Sequence, residues 1–337
     1  MNQIPRLRFA HLPTPVESLP RLSAALGGPT LLVKRDDQTG LALGGNKTRK
    51  LEYLLAEAVS HGARTLITAG AVQSNHCRQT AAAARRYGLD CILVLSGDPQ
   101  EPGAKPSPAL GGCEVPPALG GGNLLLNLLL GVEIVWTTRP QRDADLLVTF
   151  QSAWDAGRRP YLIPYGGSSP TGAAGYVTAL QELLEQDVRP DWIVFASSSG
   201  GTHAGLATGK RLLGYDGQVL GISIDEPHDV LCQRVADLAT RTADLLGEPA
   251  TFTQEDILAN TDYLGQGYGI PGELEREAIS LFARHEGLLL DPVYTGRAAG
   301  GMIDLIRHRF FPPGSTVLFW HTGGAPALFA DRYRLVS

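Results

Sequence analysis

The sequence predicts an α/β protein built on parallel β-sheets with helices packed on both faces. Two observations lead to this fold class. From residue 47 onward, short apolar runs alternate with segments of helical periodicity, and many of the runs end in glycine. Runs of this kind are typical of strands buried in a parallel sheet. The length of 337 residues allows two domains or one large α/β unit.

The alternation begins with a helix at about 47–60, where apolar residues recur at helical spacing from Leu51 to Val59 and Gly62 follows as a stop. The predicted strands are, in order, RTLITAG, CILVLSG, VEIVW, PYLIPYGG, DWIVFASSSGG, QVLGISID and STVLFWHTGG. The other predicted helices lie near 75–87, 123–130, 142–156, 171–186, 203–213, 228–246, 253–259 and 271–286, with one more after Tyr294. Residues 98–122 are rich in proline and glycine, and we expect a surface loop or insertion there.

Composition argues against several classes of protein. A hydrophobic fraction of 43% and a charged fraction of 19% are ordinary for a globular protein, and a net charge of −5 favours no nucleic-acid partner. Asn127, Gly131 and Glu133 interrupt the longest apolar run, and the N-terminus lacks the apolar core of a secretory signal, so no membrane association is expected. The four cysteines have no CxxC or metal-ligand spacing, which favours a reducing cytoplasm and no bound metal.

Two lysines in the stretch LALGGNKTRKLEYLL are candidate functional residues. Lys47 and Lys50 fall in the first turn of the first predicted helix, where the helix dipole is already positive. Two cations at that position suggest a nearby anion. A desolvated lysine beside another cation also has a lowered pKa, which suits a nucleophilic amine. The alternative is a pair of solvated lysines on a loop.

The stretch FASSSGGTHAGLATG joins a predicted strand to a predicted helix through small residues. Glycines at such a turn let backbone N–H groups face an anion, and the helix N-terminus adds its dipole. Residues 198–202 therefore favour a phosphate cradle over a plain tight turn. The stretch matches neither the P-loop nor the GxGxxG pattern. A nucleotide-binding protein that uses this turn is the alternative from a different class.

The stretch TAGAVQSNHCRQTAAAA forms a second strand-to-helix turn. Ser74, Asn75 and His76 begin this helix, where they either cap it or bind a carboxylate. Two tyrosines, Tyr268 and Tyr294, stand among turn residues in GQGYGIPGE and DPVYTGRAAGGM. A Ser-His-Asp triad built on Ser74 and His76 is excluded, since residues two apart on a helix do not face each other and no GxSxG elbow exists.

Six motifs together resemble a known family. They are KRDDQTGLALGGNKTRKLEYLLAEA, AGAVQSNHCRQTAAAA, SSSGGTHAGL, GYGIPGE, DPVYTG and HTGGAPALF. In this order they resemble the pyridoxal-phosphate enzymes of the 1-aminocyclopropane-1-carboxylate deaminase and D-cysteine desulfhydrase family, which has the tryptophan-synthase-β-like fold type II. The resemblance covers nearly the whole chain, and only residues 98–122 depart from it.

The resemblance implies two domains, each an open, mostly parallel sheet flanked by helices. Residues 1–47 and 164–337 would form the large, cofactor-binding domain, and residues 48–163 the small one, with the site in the cleft between them. The resemblance also implies two kinds of partner: a small amino-acid substrate and a second copy of the chain in a homodimer.

The resemblance also implies roles for individual residues. Lys47 would carry pyridoxal phosphate as a Schiff base and, once released, would be the favoured base for the α-proton. The phosphate would be bound by Lys50 and the turn residues Ser199, Gly200, Gly201 and Thr202. Asn75 would contact the ring hydroxyl and, with Ser74 and His76, receive the substrate carboxylate. Tyr268 and Tyr294 would flank the substrate, and Ser74 and both tyrosines join Lys47 as candidate catalytic residues.

Two positions distinguish branches of the family. The deaminase branch has Glu after the DPVY tyrosine and Leu in the last motif, whereas this sequence has Thr295 and Thr322. By this resemblance Thr295 would face the pyridine nitrogen, where a neutral hydroxyl makes a weaker electron sink than a glutamate does. The resemblance therefore implies β-elimination of a good leaving group from D-cysteine, giving pyruvate, ammonia and hydrogen sulfide. An L-cysteate sulfo-lyase and a 1-aminocyclopropane-1-carboxylate deaminase are the alternatives on the same fold.

Overall fold

The computed structural model describes residues 1–97, 121–330 and 333, together with a short backbone pairing between residues 107–108 and 114–115. The predicted loop at 98–122 therefore lies mostly outside the described residues. The longer helices are α1 Pro20–Leu26, α2 Lys47–Ser60, α3 Asn75–Arg86, α4 Gly122–Leu129, α5 Arg142–Asp155, α6 Pro170–Glu185, α7 Gly201–Leu212, α8 His228–Leu245, α9 Glu273–Glu286 and α10 Thr295–Arg307. The strands are β1 Val16–Ser18, β2 Thr30–Arg35, β3 Thr65–Ala71, β4 Asp90–Ser96, β5 Ser107–Pro108, β6 Glu114–Val115, β7 Glu133–Thr137, β8 Pro160–Leu162, β9 Trp192–Ser197, β10 Gln218–Ser223, β11 Leu258–Asn260 and β12 Thr316–His321.

The larger sheet has six strands in the order β1-β2-β12-β9-β10-β11. All its neighbours pair in parallel except β1, which runs antiparallel to β2. Strand β9 shows why this sheet is covered on both faces: Ile193, Val194 and Phe195 are consecutive, point to opposite faces and are all fully buried. The mostly parallel sheet expected from the sequence is confirmed.

The second sheet has four strands in the order β7-β4-β3-β8, all parallel. Its strands come from residues 65–162 of the chain and do not pair with the larger sheet. Its core includes Leu66 and Leu93 from the central strands and Leu51 and Leu55 from α2. Two separate sheets are compatible with the domain division at residues 47 and 163, which stays a prediction.

One predicted helix is wrong. At 253–259 the structure has a single 3-10 turn at Gln254–Asp256 and then strand β11. Thr253 and Asp256 cap that turn reciprocally, as at a helix start, but the chain leaves the helical conformation at Ile257. Strand β11 then pairs in parallel with β10, Leu258 opposite Leu220, so the exposed edge of the sheet determines the local structure.

The N-terminal elements were missing from the sequence prediction. The short strand β1, helix α1 and strand β2 precede the alternating pattern and complete the larger sheet beside β12. None of the helices in the described ranges has the combined length and apolar character that a bilayer crossing requires.

Candidate active site

A cleft lies at the carboxyl ends of strands from both sheets, the usual ligand position in open α/β folds. It collects most of the site residues predicted from the sequence: Lys47, Lys50, Ser74, Asn75, His76, Ser199, Gly200, Thr202, Tyr294 and Thr322. It also contains Ser198 of the predicted 198–202 cradle, and residues that the sequence did not single out for the site: Asn46, Tyr165, Gly166, Ala196, Ser197, His203 and Gly323.

The two lysines face each other at the start of α2. Lys47 is partly exposed in the cleft, whereas Lys50 is 1% exposed and donates to Gly166 O at 3.2 Å. Burial lowers the pKa of Lys47 to about 8, and a hydrogen bond with Lys50 offsets part of that effect. Burial and the charge of Lys47 hold the pKa of Lys50 well below its usual range. Neither amine has an acidic partner in the described part of the chain, which leaves the pair available to an anionic ligand.

The turn that starts α7 forms a concave surface beside Lys50. Gly200 is the N-cap of α7, with φ of 87° and no side-chain cap. A Cβ on Gly201 would lie 2.8 Å from Lys50 Nζ and 2.6 Å from Ser168 Oγ, so only glycine fits there. Ser168 Oγ accepts from Gly201 N at 3.1 Å and donates to Ser199 Oγ at 2.8 Å. Backbone donors, two hydroxyls and an amine thus converge on a volume suited to a phosphate.

The loop before Lys47 is held against this turn and against the last strand. Asn46 donates from Nδ2 to Thr202 Oγ1 at 3.0 Å, and its backbone N–H donates to Thr322 O at 3.0 Å. Gly323 has φ of 86°, and a Cβ there would lie 2.7 Å from Gly45 Cα. The glycines of GGN and HTGG therefore allow two backbones to pack directly against each other, which fixes where Lys47 emerges.

The N-terminus of α3 lines the opposite side of the cleft. Ser74 is its N-cap, and its hydroxyl accepts from Cys77 N at 3.2 Å. His76 Nε2 lies 2.9 Å from Thr68 Oγ1, whose own proton goes to Ile163 O at 2.8 Å. The histidine therefore donates from Nε2, and burial and the nearby lysines hold its pKa well below the usual range. His76 is therefore neutral, with an unprotonated Nδ1 that has no hydrogen-bond partner in the described structure.

The two tyrosines form a pair at the mouth of the cleft. Tyr268 Oη and Tyr294 Oη are 2.6 Å apart, and their rings pack edge to face. Burial raises the pKa of each phenol well above 10, so both are neutral at physiological pH. Tyr268 lines an adjoining outer cleft with Arg139, Arg142 and Asp225.

The two discriminating threonines occupy different environments. Thr322 lines the cleft and is 7% exposed. Thr295 is fully buried outside the lining: its hydroxyl donates to Asp291 Oδ1 at 2.7 Å and accepts from Asp291 N at 2.7 Å. The structure thus brings Thr322 to the site and gives the Thr295 hydroxyl another partner.

No aspartate or glutamate lines the cleft, as far as the described residues show. No group of three or more His, Cys, Asp or Glu side chains in the described ranges is arranged to hold a metal ion. The described lining therefore offers amines, hydroxyls, amides, two imidazoles and backbone N–H groups.

Comparison with known proteins agrees with this geometry. Residues 7–323 match the family described as pyridoxal-phosphate dependent enzymes. A site of this kind, at the strand ends of this fold, defines an enzyme that uses pyridoxal phosphate, and the chain belongs to that family.

Individual relatives narrow the position within the family. D-cysteine desulfhydrase of Salmonella typhimurium is 44% identical over 98% of this chain and 97% of its own. The crystal structure of a homologue of ACC (1-aminocyclopropane-1-carboxylate) deaminase superposes with a TM-score of 0.86 at 36% identity, covering 99% of this chain and 96% of that one. A threonine deaminase from T.th., 21% identical with a TM-score of 0.60 over 92% of each chain, shares the fold.

Proposed function

We propose that this enzyme is a β-elimination lyase that releases hydrogen sulfide, pyruvate and ammonia from D-cysteine. Support comes from the full-length similarity to D-cysteine desulfhydrase. The observation that carries the proposal is the cleft itself, where two amines without acidic partners face a glycine-lined turn and no carboxylate is present among the described lining residues.

The residues present fit pyridoxal phosphate. Lys47 is the proposed attachment residue, because its lowered pKa leaves roughly a tenth of its amine neutral at pH 7. The backbone of residues 199–202 and the amine of Lys50 would hold the phosphate, since only glycine fits at Gly201 beside Lys50 and Ser168. The Asn75 amide would face the cofactor ring. Thr322, from the HTGG motif, contributes a hydroxyl to the lining of the cleft.

The bound cofactor supplies a sink for the electron pair left when the α-proton is removed. Lys47 would take that proton, because its amine stands in the cleft with a lowered pKa. The N-terminus of α3 would bind the substrate carboxylate through backbone donors and Ser74, since His76 Nδ1 is an acceptor. The Cβ–S bond breaks as the α-carbanion's electron pair forms the double bond. Water then converts the released enamine into pyruvate and ammonia.

The lining favours a substrate with a good leaving group. A carboxylate beside a pyridine nitrogen keeps that nitrogen protonated, whereas a hydroxyl such as Thr322 only offers a neutral hydrogen bond. A weaker sink requires a group that leaves easily, and a thiolate does. Opening a cyclopropane ring expels no such leaving group, so we expect 1-aminocyclopropane-1-carboxylate to react poorly.

Two alternatives remain on the same fold. Deamination of 1-aminocyclopropane-1-carboxylate is supported by the similarity to the ACC deaminase homologue, and elimination of sulfite from L-cysteate would need the same site. A screen of D- and L-cysteine, L-cysteate, β-chloroalanine and the cyclopropane substrate separates them by pyruvate or α-ketobutyrate production. D-cysteine should be fastest of the natural substrates. Faster turnover of the cyclopropane substrate or of L-cysteate would overturn the proposal.

We also propose a homodimer in a reducing compartment, the cytoplasm. Leu43, Leu289 and Phe329 are 65%, 52% and 73% exposed and line one groove behind the glycine loop, which a second copy would cover. The unpaired thiols of Cys77, Cys91 and Cys232 suit reducing conditions. Sedimentation should show a dimer, and Phe329→Glu should weaken it while the exposed Phe310→Glu does not. A monomer at micromolar concentration would refute the dimer.

A further inference from the structure

A buried polar cluster lies behind the cleft at the N-terminus of α3. Arg78 and Asn123 are fully buried, and Asn75 is 9% exposed. Arg78 donates to Asn75 Oδ1 at 2.9 Å, to Asn123 Oδ1 and to Gly44 O at 2.7 Å. All three acceptors are neutral, and burial lowers the pKa of Arg78 to about 10. The negative charge of Asp291 opposes part of that lowering, but the hydrogen bonds that Arg78 makes in the described structure all go to neutral oxygens. A buried cation hydrogen-bonded in this way costs stability, so its presence here calls for another reason.

The hydrogen bonds of this cluster fix the orientation of two side-chain amides. Asn123 donates from Nδ2 to Gln73 O at 2.8 Å, and a backbone carbonyl is only an acceptor. The same Nδ2 group donates to Asn75 Oδ1 at 2.9 Å. Arginine is only a donor, so both amide oxygens must face Arg78. A flipped Asn75 amide would place its NH2 group against two donors.

The Asn75 side-chain oxygen therefore accepts two hydrogen bonds, from Arg78 and Asn123, on the side away from the cleft. Its Nδ2 group remains available on the cleft side. Asn75 lines the cleft, and its Nδ2 has no acceptor among the described residues. We propose that Arg78 and Asn123 are positioning residues that hold the Asn75 amide with its NH2 group toward the cleft, as a donor to an anionic oxygen of the bound cofactor. This inference rests on the proposed placement of the cofactor ring beside Asn75.

Asn123 also connects the cluster to other parts of the chain. Its backbone N–H donates to Gln73 Oε1 at 2.7 Å, and Gly121 forms a bridge with Ala330. The first turn of α4 is thus tied to the start of α3 and to the C-terminal segment. Asn123, outside the cleft lining, thus orients the amide of Asn75, which lies in the lining.

A double-mutant cycle on the apoenzyme tests the proposal through cofactor binding. Asn123→Ala should weaken binding of pyridoxal phosphate about tenfold, whereas in an Asn75→Ala background the same substitution should change it by less than about twofold. Asn123→Ala should shift the pH midpoint of the bound-cofactor absorbance in the wild-type background and leave it unchanged in the Asn75→Ala background. A merely structural role for Asn123 would give the same loss in both backgrounds and overturn the proposal.

Asn127→Ala is the matched control. Asn127 lies one turn further along α4, is fully buried, and neither its Nδ2 nor its Oδ1 has a partner in the described structure. Its removal should leave cofactor affinity unchanged. If Asn123→Ala does not fold, Arg78→Lys is put through the same cycle, because it keeps the charge and loses the forked contact. A protein that shows this coupling but no sulfide release from D-cysteine overturns the proposed substrate alone.

Discussion

Two helix N-termini meet at the cleft, and they are built in opposite ways. Helix α7 begins after Gly200 with no side-chain cap from that residue, and although the N–H of Gly201 donates to Ser168 Oγ, the turn presents glycine backbone beside Lys50. Helix α3 begins after Ser74, whose hydroxyl occupies the N–H of Cys77, and side chains surround its start. Both ends carry a positive dipole, but one presents bare backbone and the other presents selected side chains.

A third helix N-terminus sharpens this contrast. Helix α10 begins at Thr295, and the carboxylate of Asp291 accepts from Val293 N, Tyr294 N and Thr295 N. This end already contains its own anion and is buried. A helix dipole alone therefore does not make a ligand site. The open end of α7 suits the phosphate of a cofactor that stays bound throughout the reaction. The side chains at the start of α3 suit recognition of one substrate among many. The closed end of α10 has a structural role.

The largest effect is expected at the amine of Lys47, between the open end of α7 and the side-chain end of α3. Lys47→Ala should lower sulfide release roughly 10³-fold or more, because it removes both the attachment group and the proposed base. Lys210→Ala, in the last turn of α7, is the control and should retain wild-type turnover. Comparable pyruvate production from D-cysteine by the Lys47 variant would contradict the assignment.

A smaller effect is expected where backbone alone makes the site. Gly201→Val should weaken pyridoxal phosphate binding by roughly ten- to a hundredfold, because the new side chain displaces Lys50 and Ser168 from the turn. Gly272→Ala alters the N-cap glycine of α9, away from the cleft, and should leave the affinity intact. Equal affinities in titrations of the Gly201 variant and wild type would place the phosphate elsewhere.

The pH dependence of cofactor attachment should report the Lys47 amine. Its pKa is lowered to about 8, so the neutral, reactive fraction should rise about tenfold between pH 7 and pH 9. Stopped-flow absorbance of apoenzyme mixed with pyridoxal phosphate should show the attachment rate increasing through this range. A rate that is flat from pH 7 to pH 9 would show that the free amine is already neutral or is not the reacting group.

The smallest effect on ligands is expected at the closed helix end. Thr295→Val removes two hydrogen bonds with Asp291 and should lower the free energy of unfolding by about 1–3 kcal/mol. Substrate preference should not change. Thr322→Val, in the cleft lining, should instead shift the absorbance of the bound cofactor with less loss of stability. The contrast would fail if Thr295→Val altered the spectrum and Thr322→Val did not.

Much of the fold followed from the sequence because parallel strands leave a strong pattern. The runs around Ile193 and Leu93 are apolar and short, and the helices between them are amphipathic. The helix predicted at 253–259 was wrong because a capped turn followed by a short edge strand gives no periodic pattern over so few residues. Strand β1 is equally short, and its pairing with β2 depends on a neighbour 14 residues or more along the chain.

The site was predictable where function is local in sequence. Lys47, Ser74 and Gly200 each stand at a strand or loop end that leads into a helix, which is a visible signal. Ser168 and Asn123 left no such signal, since they act through hydrogen bonds to the lining residues Ser199 and Asn75, which are distant from them in the chain. Sequence also could not show that Asp291 engages the Thr295 hydroxyl.

The central claim is that Lys47, between the open helix end and the side-chain end, carries the cofactor. Borohydride reduction of the holoenzyme, followed by trypsin and mass spectrometry, tests it directly. We expect a pyridoxyl-phosphate adduct on the peptide of residues 36–49, because modified Lys47 resists cleavage while Arg35 and Arg49 are cut. An adduct on the peptide of residues 50–64, which begins at Lys50, or no adduct at all, would contradict it.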